Sequence, residues 1–135
     1  MIRLWGLAIL ISLFAFASQP TRPTLNPEQA KPLVVLAALT NEQRALPGIG
    51  ADAYSDPHSS RYMFFTVVWS APENQSVVVG NFAVDPYTGD VWNASSECDE
   101  LTNPRLRALQ KTVREALRLS QSDYKSLKVK GPLCE

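Results

Sequence analysis

Residues 83–93, AVDPYTGDVWN, set two acids, Asp85 and Asp90, on either side of a Pro-Tyr-Thr-Gly stretch. The two carboxylates are either a site or the punctuation of a hairpin. Asp suits the first position of a turn, Pro presets φ at the second, and Gly takes the positive φ that closes it. Between Asp85 and Asp90, every residue but Tyr87 has a backbone reason for its place. A metal would need more oxygen ligands than two acids supply. The stretch reads as a hairpin turn, and it puts an antiparallel sheet at the centre of the fold.

The flanks supply the strands. Residues 61–70, RYMFFTVVWS, are dense in β-branched and aromatic side chains, as are residues 76–85, SVVVGNFAVD, and the short run DVWNAS from Asp90. Gly80 inside the second strand predicts a bulge or a close backbone approach. In the first strand Tyr62, Phe64, Thr66 and Val68 face one way, and Met63, Phe65, Val67 and Trp69 the other. Both faces are apolar, so helices should cover one, and a partner or the N-terminal segment the other. Tyr62, Phe64, Phe65, Trp69, Phe82 and Trp92 are the core candidates. Residues 51–60, ADAYSDPHSS, read as a loop by composition.

The strand pair ending in VDPYTGDVW resembles the PepSY family, whose domains close with a similar VD-x-x-TG-x-V hairpin. The resemblance spans about residues 62–92. It implies a small helix-plus-antiparallel-sheet module of the kind found in envelope proteins and in propeptides that restrain secreted metallopeptidases. It implies no functional residue.

Asn26-Pro27 predicts a helix start, with Asn as cap and Pro at the first helical position; Pro32 makes a start near Lys31 the alternative. LVVLAAL, residues 33–39, fits a buried helix or strand, and its Ala and Leu content favours helix. Thr40 and Gln43 match a capping box, so the helix breaks there and restarts briefly before PGIG ends it. Asn103-Pro104 predicts another start. Leu106, Leu109, Val113 and Leu117 recur at helical spacing as one apolar face. Ser120, with Asp123 three residues on, starts a short last helix that Gly131-Pro132 ends.

The first 17 residues, with Arg3 before an apolar run and Ala15-Phe16-Ala17 at its end, read as a signal peptide. The run is too short to span a bilayer comfortably. Residues 18–26 read as a flexible Pro/Thr-rich linker, and residues 27–135 as a single α+β domain. Export makes a Cys98–Cys134 disulfide the default. On the chain-entropy model it would stabilise the fold by ~4 kcal/mol. Asn74 and Asn93 sit in glycosylation sequons, which matter only in a eukaryotic source.

Formal net charge is zero, but residues 18–100 carry four basic and ten acidic side chains, and residues 101–135 carry eight basic and three acidic. Arg107, Lys111, Arg114 and Arg118 are spaced four, three and four apart, which predicts one cationic stripe beside the apolar face. The stripe is the candidate partner-binding surface, although a solvated helix face is the common use of such residues. A domain with no basic excess argues against nucleic acid. His58 is the sole imidazole and the one available base for a serine nucleophile, but an exposed loop histidine explains it as well. One His with two cysteines that should pair makes a poor zinc site.

The sequence therefore predicts an α+β fold: an N-terminal helix, a small antiparallel sheet of about three strands and a C-terminal helical hairpin. It carries no catalytic, metal or cofactor set. The leading expectation is a periplasmic or secreted, non-enzymatic binding module for an envelope or secreted protein partner, with restraint of a peptidase or other envelope hydrolase as its most specific form. Membrane contact would be peripheral if any. The alternatives are a small hydrolase using His58 and a peripheral protein adhering to anionic envelope surfaces.

Overall fold

A computed structural model describes residues 21–55, 61–70, 76–95 and 99–128. The expected leader, His58, Asn74 and the Cys98–Cys134 pair lie outside these residues. The helix α1 (Pro27–Ala38) begins as its sequence demands. The Asn26 side chain accepts from the Gln29 backbone N–H at 2.9 Å, and Gln29 Oε1 accepts from Asn26 N–H at 2.9 Å, a complete capping box. Pro32 sits inside the helix and does not break it, because burial of Ala30, Leu33 and Val34 holds both sides of it. The chain turns extended at Leu39, and Thr40 with Gln43 caps the single turn α2 (Asn41–Arg44).

Four strands follow as an antiparallel meander: β1 (Ile49–Tyr54), β2 (Met63–Ser70), β3 (Ser76–Val84) and β4 (Val91–Asn93), hydrogen-bonded in that order. β1 corrects the expectation of a loop from residue 51. The GADA between Ile49 and Tyr54 has little β propensity of its own, and the segment becomes a strand through its pairing with β2, from Ile49 opposite Trp69 to Tyr54 opposite Phe64. The bulge expected at Gly80 is present. Val67 pairs with Gly80 and Val68 with Val78, which leaves Val79 as the extra residue.

One face of the sheet carries Ala51, Phe65, Val67, Phe82, Val84 and Val91, and α1 packs on it. α3 (Pro104–Ala116) joins them through Leu106, Leu109 and Val113, with Leu117 just past its end, the face that helical spacing predicts. Its cap, Asn103, accepts from Leu106 N–H at 2.9 Å and donates to the Leu36 carbonyl at 2.8 Å, so one side chain ties the start of α3 to the end of α1. The other face holds a smaller cluster of Phe64, Ala83 and Trp92 flanked by Tyr62 and Ala94. The short α4 (Gln121–Leu127) returns from α3 to complete the helical hairpin.

Two departures have identifiable causes. The tether expected at residues 18–26 is docked at its end, because Leu25 enters the core and donates its N–H to the Pro86 carbonyl at 2.9 Å. α3 stops at Ala116. Arg118 N–H bonds the Glu115 carbonyl and Leu119 N–H the Arg114 carbonyl, a Schellman close with Arg118 left-handed at φ 53°. Among the described residues, no helix is long and apolar enough to cross a membrane.

Candidate functional site

The hairpin between β3 and β4 is built as its residues require. Asp85 N–H bonds the Asp90 carbonyl at 2.9 Å, and the Asp85 carbonyl receives Gly89 N–H at 2.8 Å. The Asp85 side chain accepts Tyr87 N–H at 3.0 Å, and Gly89 takes φ 75°. Thr88 Oγ1 donates to Asp90 Oδ2 at 2.9 Å and accepts Asp90 N–H at 3.2 Å. Both acids are buried, at 1% and 2% exposure.

Buried carboxylates need paired charge, and three cations supply it. Arg61 Nη2 reaches Asp85 Oδ2 at 2.8 Å and also donates to the Leu127 carbonyl at 3.0 Å. Arg114 donates through Nη2 to Asp90 Oδ1 at 2.7 Å and through Nε to the Thr88 carbonyl at 2.9 Å. Tyr124 Oη donates to the same Oδ1 at 3.0 Å. Lys128 Nζ bonds Glu100 at 2.6 Å and Tyr124 Oη at 3.1 Å, and stands 3.6 Å from Asp90 Oδ2. Rings face these cations: Tyr87 lies 5.1 Å from Arg61, Tyr124 3.9 Å from Arg114, and Trp92 5.8 Å from Lys128.

Protonation follows the geometry. Burial works to lower the Lys128 pKa, but hydrogen bonds with Glu100 and Tyr124 and the charge of Asp90 outweigh it and hold the ammonium above the ordinary lysine range. Burial likewise opposes the charge on Arg61, and Asp85 overrides it, so that guanidinium stays charged. Burial raises the Tyr124 phenol. An ammonium held protonated is no nucleophile, and both acids have each oxygen already bonded. The arrangement does not present an acid, base or nucleophile to a substrate. It is a clamp that fastens α3, α4 and the start of β2 to one turn.

The clamp redistributes the expected cationic stripe. Arg107 and Lys111 are exposed on α3, Arg107 touching Thr102 Oγ1 at 3.2 Å. Arg114 is turned inward to Asp90, and Arg118 lies past the helix end, off its face. Counting 100° per residue assumes a helix that runs through residue 118, and the Schellman close ends it earlier. Sequence reasoning missed Arg61, Tyr124 and Lys128. Their acidic partners lie 24 or more residues away, and no local spacing signals such pairs. Among the described residues no three His, Cys, Asp or Glu side chains are grouped to hold a metal.

No family model matches the chain, and no curated protein matches it. Among solved structures, it is similar to a chain in the structure of a type VI secretion system effector-immunity complex from Pseudomonas protegens. The two are 32% identical with a TM-score of 0.59, over 80% of this chain and 91% of that chain. At that identity over nearly the whole of its relative, this chain belongs to the same family as that member of the complex.

Proposed function

We propose that this protein is a binding module that restrains a toxic protein partner, the immunity side of an effector-immunity pair, and that it acts in the periplasm. The observation that carries the reading is the 32% identity to a chain of an effector-immunity complex, over 91% of that chain. Two features support the immunity side over the effector side. The first 17 residues read as a leader, and a protective partner must reach its compartment unaided, whereas an effector is delivered by the secretion machine. The buried acids are consumed in a clamp, which suits a rigid surface better than a reaction centre. The PepSY resemblance, which implies restraint of a hydrolase, points the same way.

The test is contact competition. Deleting the coding sequence should make cells sensitive to parental neighbours that have a working type VI apparatus, and supplying the full-length chain should restore survival. A deletion strain that survives contact as well as its parent would refute the proposal. Toxicity of the exported chain in a naive host would place it on the effector side instead.

A further inference from the structure

We infer that the groove between α1, α2 and α3 receives a carboxylate side chain of the partner protein, an inference that rests on the restraint function proposed above. The groove encloses about 550 Å³ and is lined by Leu36, Leu39, Asn41, Arg44, Pro104 and Arg105, among others. Two guanidiniums meet in it. Arg44 donates through Nη1 to the Leu39 carbonyl at 2.9 Å and through Nη2 to Asn41 Oδ1. Arg105 Nη1, arriving from the first turn of α3, donates to that same Asn41 oxygen. Two positive charges therefore converge on one neutral amide oxygen. An amide dipole satisfies hydrogen bonds but cancels no charge, so the pair repels until an anion arrives. A carboxylate matches the planar fork of each guanidinium and neutralises both.

Nothing described in this chain plays that role. Among the described residues no ion pair includes Arg44 or Arg105, although Glu42 lines the same groove. The surrounding helices reinforce the sign. Arg107, Lys111, Arg118 and Lys125 also have no carboxylate partner among the described residues, against Glu42 and Glu115 as the unpaired acids of the four helices and the turn after α3. This field steers an acidic surface toward the helical side of the molecule. Leu36, Leu39 and Pro104 beside the arginines would displace part of the water around a docked carboxylate, which strengthens its bonds to them.

The experiment uses the deletion strain complemented with full-length variants and challenged by parental attackers. R44Q/R105Q should weaken the affinity for the partner roughly tenfold or more, the scale of losing one charge-assisted hydrogen bond, and lower recipient survival with it. R44K/R105K, which keeps both charges, should protect substantially. Asn41→Asp puts a carboxylate of the chain's own into the receptor, so it should lose protection while its urea midpoint holds or rises. Full protection by R44Q/R105Q, or by Asn41→Asp, overturns the groove inference while the function reading stands. Failure of the wild-type chain to protect refutes the function reading, and the inference with it. If R44Q/R105Q does not fold, Arg105→Gln alone decides, because that side chain is exposed and its hydrogen bond is to Asn41.

Discussion

Replacing Asp90 by Ala should destabilise the protein by about 3 kcal/mol, through the loss of a buried charge that four side chains share. The Asp90 carboxylate receives Arg114 at 2.7 Å, Thr88 at 2.9 Å and Tyr124 at 3.0 Å, with Lys128 at 3.6 Å. Breaking one side of a buried ion pair costs about 3–5 kcal/mol. The lower end applies, because the Arg114 side chain keeps 24% exposure and that of Lys128 37%, and water can take over part of their solvation. Arg114→Ala should cost about 2 kcal/mol, since Asp90 retains Thr88, Tyr124 and Lys128. If the two residues act as one clamp, the double variant should be less destabilised than the sum of the singles, by about 1.5 kcal/mol of coupling. Urea unfolding of the wild type, both singles and the double at pH 7 measures this. With a urea slope of about 1.5 kcal/mol per molar, Asp90→Ala should lower the midpoint by roughly 2 M. A loss below about 1 kcal/mol, or coupling within about 0.5 kcal/mol of zero, would mean that these acids are turn punctuation alone.

Two further outcomes follow from the same region. Arg118→Gly should stabilise the fold by up to about 1 kcal/mol, because Arg118 holds a left-handed φ of 53° that glycine adopts freely; a lower urea midpoint would show that the arginine side chain contributes more than its backbone costs. At alkaline pH the fold should weaken. Lys128 and Tyr124 both have folded pKa values above their ordinary ones, so the folded state binds their protons more tightly than the unfolded chain does. Their contribution is complete below about pH 10 and drains as pH rises beyond it. Urea midpoints followed from neutral pH into that range should fall, and Lys128→Met should flatten the decline; a midpoint independent of pH there would contradict the placement of both groups.

What could be read from the sequence divides along the range of the interactions. The caps at Asn26, Thr40, Asn103 and Ser120 are decided within three residues of themselves, and each starts its helix where the spacing predicts. The Asp85–Asp90 turn and the bulge at Gly80 are equally local. β1 is hard to read because the Gly-Ala-Asp-Ala between Ile49 and Tyr54 is extended only once β2 offers its edge. Leu25 reads as tether because it lies in a Pro/Thr-rich stretch, and its burial depends on a core assembled far along the chain. The clamp is hidden from the sequence for the same reason: Arg61, Arg114 and Lys128 find their acids across the fold, where no periodicity reports them.

The charge asymmetry of the sequence takes on a different meaning in the folded chain. A sequence with ten acids before residue 101 and eight bases after it invites the idea that the two halves neutralise each other. They do so only in part. Asp85, Asp90 and Glu100 take up Arg61, Arg114 and Lys128 in the clamp, and Asp123 takes Arg22. Among the described residues, the unpaired acids are Asp52 on the edge strand β1, Asp99 beside β4, and Glu42 and Glu115 on the helices, whereas six unpaired cations crowd the helices and the turn after α3. Each ion pair takes out one acid and one base, so the positive excess of the helical side comes from these unpaired cations, which outnumber Glu42 and Glu115 there. A polar clamp that contributes only modest net stability also determines which charges remain outside to meet a partner, and here those charges favour an acidic one.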